Sequence, residues 1–264
     1  MTDLLSQLKE MLSASGLSGF EGPIRKIIQK AWEPLTDELS VSKIGSLHGF
    51  KQGSGPDPRH RLLISAHMDA IGMMVTEIRD GLMHVTEIGG LDHRILPGQP
   101  VTVHGREDLP GVVVQPPAHL LPDSVGDGPV DMKYLMVDVG FPPGEVWEKV
   151  RVGDPVSYAQ IPLELTGEAL AGHTLDNRVS VAATTLCLEA LQSRRHAWDV
   201  WAVASAQEEE TLGGALTSPF DIRPDIAIVI DVCFAKGPGS NDWRSLPFGK
   251  GVGIGYGPNI HPGL

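Results

Sequence analysis

His67 and Asp69, two residues apart at the end of the apolar run Leu62 to Ala66, are the first residues in this chain whose types and spacing can do chemistry. A short apolar run with such flanks reads as a buried strand, and open α/β sheets place ligands at the carboxyl ends of their strands. An imidazole and a carboxylate emerging there can hold a metal or a substrate, although such a pair alone is more often a structural contact. Two further runs end in acids: Asp199 to Ala206 leads into Gln207-Glu208-Glu209-Glu210, and Ile226 to Ile230 leads into Asp231. A fourth acid, Asp176, opens a helical pattern. If the three strands share one sheet, these groups converge on one edge, and the chemistry that follows is a metal–carboxylate site.

The elements that must position these groups are legible from periodicity. Asp3 to Ser13 carries leucines at 4, 5, 8 and 12 and reads as an amphipathic helix stopped at Gly16. A second helix starts at Gly22-Pro23 and presents Ile24, Ile27, Ile28 and Trp32 on one face. Residues 38–42 and 46–51 read as short strands, and the Gly/Pro-rich stretch 52–58 as a surface loop. From Met73 to about Pro162 the pattern changes to short alternating runs broken by turn residues, with a hairpin signal at Arg79-Asp80-Gly81. Further strands are expected at 101–104, 111–114, 134–139 and 155–159, which together describe a small all-β barrel. The α/β pattern then resumes with a helix over Asn177 to Ser193, and the glycine-dense stretch after Lys236 is read as loop. The expected fold class is α/β with an inserted small all-β barrel domain.

Composition narrows the partners. Among 264 residues, 21 Lys and Arg face 33 Asp and Glu, a formal charge of −12. That balance argues against nucleic-acid backbones and anionic membrane surfaces. The N-terminal residues lack a continuous signal-peptide core, and no apolar run reaches spanning length. Cys187 and Cys233 have no metal-type spacing and are expected to be buried free thiols in a reducing cytoplasm.

The set His67-Met-Asp69-x-x-Gly72, Leu175-Asp176-Asn177-Arg178, Gln207-Glu208-Glu209 with Gly214-Ala215, and Ile230-Asp231-Val232, in that order, resembles the M42 family of dinuclear metallo-aminopeptidases. That group includes the TET peptidases and the glutamyl aminopeptidases. The β insert and its Gly111-Val-Val-Val-x-Pro-Pro-Ala-His119 segment fit the same family, so the resemblance covers nearly the whole chain. It implies a mixed-sheet zinc-peptidase catalytic domain sandwiched by helices at 1–72 and 163–264, with the barrel at 73–162.

It also implies two divalent metal ions per subunit, zinc foremost and cobalt as the alternative. His67 would ligate the first ion, with Asp69 fixing its tautomer through the other ring nitrogen. Asp176 would bridge the ions, Asp231 would complete the first and Glu209 would bind the second. Glu208 would be the general base. The acidic run allows the base/ligand pair to be 208/209 or 209/210, and Gln207 with Gly214-Ala215 favours the former. Glu210 stands where the family is usually apolar and Ala70 where it usually has glutamate, which bears on substrate preference.

The implied function is an aminopeptidase acting on peptide substrates, as a large homo-oligomer assembled through the insert, with a dodecamer as the largest state expected. A related deacylase or carboxypeptidase-type metallohydrolase is the alternative enzyme, and a non-catalytic module with a degenerate metal site the alternative outside enzymes. The family's second-metal histidine lies beyond the position matching Leu264, so the expectation is that a C-terminal segment carrying it is missing. Of the other histidines, His173 has ligand-like spacing to Asp176 in an extended segment, and His119 is a candidate for a neighbouring subunit's site. His48, His60, His84, His93, His104 and His196 read as surface or strand residues, and His261 lies in a loop.

Overall fold

The computed structural model describes residues 3–122, 125, 128–240, 242–261 and 263. Its chain falls into two units, residues 1–230 and 231–264.

The first unit opens with α1 (Leu4–Ser13) and α2 (Gly22–Trp32), then β1 (Glu38–Val41), β2 (Leu47–Lys51) and β3 (Arg61–His67). A run of strands follows: β4 (Gly72–Arg79), β5 (Leu82–Ile88), β6 (Pro100–His104), β7 (Asp108–Val114) and β8 (Met136–Asp138). Helix α3 (Pro143–Lys149) separates these from β9 (Pro155–Tyr158), and the hairpin β10 (Leu163–Leu165) and β11 (Ala169–Ala171) leads into α4 (Leu175–Leu191). The unit ends with β12 (Asp199–Ser205), α5 (Glu208–Thr211), α6 (Gly213–Ile222) and β13 (Ile226–Val229).

Five strands form one mixed sheet in the order β1-β2-β12-β3-β13. β12 and β13 run parallel to β3 on either side, and β2 runs antiparallel to β12. The three strands anticipated to end in functional groups therefore do share a sheet. On one side of it, α1, α2 and α4 bury Met11, Ile24, Ile28, Trp32 and Val181 against Leu47, Ala66, Ala202 and Ala204. Each large apolar side chain fully withdrawn from water there contributes roughly 1.5–3 kcal/mol. The one polar atom that Trp32 carries inward is satisfied, since its Nε1 donates to Thr185 Oγ1 at 2.8 Å.

The second assembly is a closed barrel, β4-β5-β8-β7-β6-β9. Alternation sends Val101, Val103 and Val156 into its core with Met73, Val75, Met83 and Val137, and leaves Thr102, His104 and Ser157 on its outer side. The β4–β5 hairpin turns through Asp80 and Gly81 with φ of 51° and 84°, the pair of positive values that a two-residue hairpin loop requires.

Several expectations need adjustment. The strand over 134–139 shrinks to β8 because Met132–Tyr134 forms a 3₁₀ turn. Helix α3 and the β10–β11 hairpin had no strong periodic signal. Cys187 is half-buried but Cys233 is exposed, in a segment without regular structure. Among the described residues no helix is long and apolar enough to cross a membrane. The described part of the second unit carries only isolated bridges, Ala235 with Leu246 and Gly237 with Ser240.

Candidate metal centre

Parallel register sets the site. Ser205 lies beside His67 and Val229 beside Ser65, so β12, β3 and β13 finish nearly level. The alignment continues past the strands: Met68 N donates to Ser205 O at 3.0 Å and Ile230 N to Ser65 O at 2.9 Å. His67, at the last position of β3, is 3% exposed, and Asp69 just beyond is fully buried.

Asp69 organises the neighbouring strand end. Its two carboxylate oxygens accept the N–H groups of Glu208 and Glu209, each at 3.1 Å. These are the first residues of α5, whose N–H groups have no partner within the helix. Gln207 turns β12 into α5 through a left-handed conformation, φ 56°, and its N–H is held by buried Glu21 at 3.1 Å. Burial pushes the Glu21 carboxyl up, against hydrogen bonds from backbone N–H groups that pull it down. Sequence reasoning assigned Asp69 to the histidine and missed this second hold. The His67 Nδ1 sits 3.2 Å from the Asp69 carbonyl oxygen and 3.5 Å from its Oδ1, so the carbonyl is the closer acceptor.

Asp176 arrives from the opposite direction, at a break in the first turn of α4 where Asp176 and Asn177 leave helical geometry. Its neighbours hold the break. Asn177 Nδ2 donates to Ile230 O at 2.8 Å, and the fully buried Arg178 donates to the carbonyls of Met68, Met11 and Ala14 at 3.1, 2.7 and 2.6 Å. The Asp-Asn-Arg motif thus has a mechanical meaning: two donors tie the chain on either side of the sheet edge and leave Asp176 facing His67.

His67 Nε2 lies 3.0 Å from Asp176 Oδ1 and 3.6 Å from Glu208 Oε2. His67, Asp176 and Glu209 each offer one ligand atom, all within 4.8 Å of one another. Burial would lower the His67 pKa, but the hydrogen bonds to Asp176 and Asp69 and the charges of Asp69 and Glu208 carry it to about 10. Glu209 is pushed up to about 7 by burial and then by the charge of Asp176. Burial would raise the Asp69 carboxyl too, yet His67 and the two backbone donors hold it below the usual range. An imidazole that retains a proton beside a carboxyl that resists losing one marks a cluster short of positive charge, and a divalent cation fits that deficit.

Asp231 is the first residue of the second unit, and its exposed carboxylate accepts from the Val232 N–H at 2.8 Å. Glu210 does not join the cluster; it accepts the Gly89 N–H at 2.6 Å, tying α5 to the end of β5. His173 is half-buried against the Tyr158 ring at 5.3 Å, and His119 lies exposed in the 3₁₀ turn Ala118–Leu120. Neither belongs to the ligand group among the described residues. Asn177, Arg178 and Glu21 are the supporting residues to which no role was assigned from sequence; the first two lay inside a quoted motif, and Glu21 carried no signal.

The family model for M42 glutamyl aminopeptidase matches residues 45–264. Lysyl aminopeptidase of Pyrococcus furiosus is 33% identical, over 97% of this chain and 74% of that protein. A TET aminopeptidase of a marine-sediment Thaumarchaeota archaeon superposes with a TM-score of 0.88 at 28% identity, covering 94% of this chain and 71% of that one. The TET1 peptidase of Pyrococcus horikoshii, which can assemble into a tetrahedron or a large octahedral shell, superposes with a TM-score of 0.78 at 28% identity, covering 91% and 72%. With its acidic groups gathered around one histidine at the ends of parallel strands, the chain belongs to the M42 glutamyl aminopeptidase family.

Proposed function

We propose that this chain is a metal-dependent aminopeptidase that removes N-terminal residues from peptides, with His67, Asp176, Glu209 and Asp231 as metal ligands and Glu208 as general base. The observation that carries the reading is the meeting of His67, Asp176, Glu208 and Glu209 at one sheet edge. These residues would hold two divalent cations, zinc foremost and cobalt as the alternative. When bound, such a pair polarises the scissile carbonyl and acidifies water.

The protein's own groups do the rest. His67 turns Nδ1 toward Asp69, which leaves Nε2 as its ligating atom. Asp69 fixes the backbone of Glu208 and Glu209 together, so the base and the ligand keep one spacing. Glu208 is 3.6 Å from the His67 ring, at the edge of the cluster, where its carboxylate can take a proton from water and return it to the leaving amine.

The barrel strands are contiguous from Gly72 to Tyr158, which supports residues 73–162 as an inserted domain in a catalytic domain of 1–72 and 163–264. The assemblies formed by the P. horikoshii relative support a homo-oligomer, and two unpaired thiols fit a reducing cytoplasm.

A panel of aminoacyl-anilides, assayed with and without chelator, tests the activity. Release that chelator abolishes and zinc or cobalt restores is expected; absence of chelator-sensitive release from every member overturns the reading. Substrates with a blocked amine separate it from a deacylase.

A further inference from the structure

The outer face of the barrel meets the segment 13–17 across a cavity of about 230 Å³ whose lining includes none of His67, Asp176, Glu208 and Glu209. His104 lines it from the end of β6 and makes an ordered chain of contacts. Its Nδ1 is 2.7 Å from Asp108 Oδ1, and its Nε2 is 2.8 Å from Ser157 Oγ. Asp108 accepts from the Nδ1–H, which leaves Nε2 as acceptor for the Ser157 hydroxyl. The register explains the encounter: His104 and Asp108 are cross-strand partners at the mouth of β6–β7, and β9 brings Ser157 alongside β6.

We propose that Ser157, His104 and Asp108 form a second catalytic site, one that hydrolyses small acyl esters without using the metal centre. A hydroxyl bonded to an imidazole that is in turn oriented by a carboxylate is the arrangement that activates a serine, whatever fold carries it. Stabilisation of the oxygen that becomes negative falls, in this proposal, to donors of the residues that line the cavity. Ser15, Gly16 and Leu17 line it, and their N–H groups have no backbone acceptor among the described residues. The buried guanidinium of Arg178 lines it as well, bonded to carbonyl oxygens and to no carboxylate among the described residues. Ser15 Oγ lies 3.1 Å from the same Nε2 and competes with Ser157 for it.

The steps balance without a further reactant. Ser157 Oγ bonds to the ester carbonyl carbon as its proton passes to His104 Nε2; the ester C–O bond breaks and that proton leaves with the alcohol. Water then adds to the acyl carbon, gives its proton to Nε2, and the carboxylic acid departs as Ser157 recovers its hydrogen.

The test uses the full-length holoenzyme. A fluorophosphonate probe followed by peptide mass mapping is expected to leave one adduct, on Ser157; no adduct, or one elsewhere, overturns the proposal without any variant. Hydrolysis of p-nitrophenyl acetate is expected to persist in chelator, whereas its loss would assign the reaction to the metal centre. His104→Gln should lower that hydrolysis about 100-fold, the scale of a lost general base. Ser15→Ala should raise it several-fold by removing the competing hydroxyl. Both variants should keep chelator-sensitive aminoacyl-anilide hydrolysis, which shows that the fold is intact. Unchanged ester hydrolysis in His104→Gln would also overturn the proposal.

Discussion

The sheet edge and the barrel are built by opposite rules. The barrel follows local preference over most of its length: alternating strands, a valine and methionine core, and a hairpin turn whose Asp80 and Gly81 take the two positive φ values it needs, with one irregularity in β4 between Val75 and Glu77. The sheet edge breaks those preferences repeatedly. Gln207 and Leu212 adopt left-handed backbone, the first turn of α4 is interrupted at Asp176 and Asn177, and the buried Asn177 Oδ1 has no hydrogen-bond partner among the described residues. The left-handed backbone of non-glycine residues such as Gln207 and Leu212 costs on the order of 1–3 kcal/mol each, which persists only when surrounding contacts impose it. Here Asp69, Glu21 and Arg178 are those contacts. The contrast separates a region shaped for stability from one whose departures bring four acids to one histidine.

The largest expected effect lies at the site. Glu208→Gln keeps the size and the backbone bond to Asp69 but removes the proposed proton acceptor, so kcat for an aminoacyl-anilide should fall by about 10²–10⁴-fold. Metal content, measured by elemental analysis, should stay at the wild-type value. Retained activity with the corresponding loss in Glu209→Gln would reassign the base to the other carboxylate. Met83→Ala makes the opposite cut: it opens the barrel core and should cost about 2–5 kcal/mol in denaturant unfolding, with no loss of metal per folded chain. Loss of metal there would mean that the two regions are one cooperative device.

This division also explains what could be read from the chain. The strand ends, the hairpin at Asp80-Gly81 and the onset of α4 beside Asp176 were legible because each is decided by periodicity or by a residue's own conformational limits. The grip of Asp69 on Glu208 and Glu209 was not, because it joins positions 139 and 140 residues apart, through backbone donors that every residue carries. Glu21 was hidden for the same reason: its acceptor role depends on where Gln207 turns. Nor could periodicity show that His104 would share its Nε2 between Ser15 and Ser157, since three separate elements deliver those groups. Cys233 was misjudged because apolar neighbours in sequence do not make a core when the segment forms no regular structure.

A smaller effect comes from His173, between barrel and helix. Burial, with the charge of Arg178, pushes its pKa down to about 4. A histidine whose folded value lies below its unfolded value near 6.5 leaves stability intact above pH 6.5 and removes it as pH falls toward 4. Because the ring is only half-buried, the loss should be roughly 1–3 kcal/mol over that window. Unfolding free energies at pH 7 and pH 4.5 should differ less in His173→Phe than in the wild type; an unchanged difference would show that the ring titrates as it does in water.

The finest cut uses one substitution at the two ends of β5. Gly81 and Gly89 both have positive φ, 84° and 74°, so alanine at either position is strained by about 1 kcal/mol. Their surroundings differ. A methyl at Gly81 would meet Pro143 Cα at 3.3 Å, whereas one at Gly89 would lie 2.5 Å from Ile71 Cγ2 and 3.4 Å from Glu209 Cβ. Gly89 also donates its N–H to Glu210, one residue beyond the metal-binding Glu209 of the proposed centre. Gly81→Ala should therefore lower the unfolding free energy and leave kcat/KM unchanged. Gly89→Ala should lose stability and, by displacing α5, several-fold in kcat/KM; equal kinetics in the two variants would mean that the barrel's end does not help to hold the acidic helix in place.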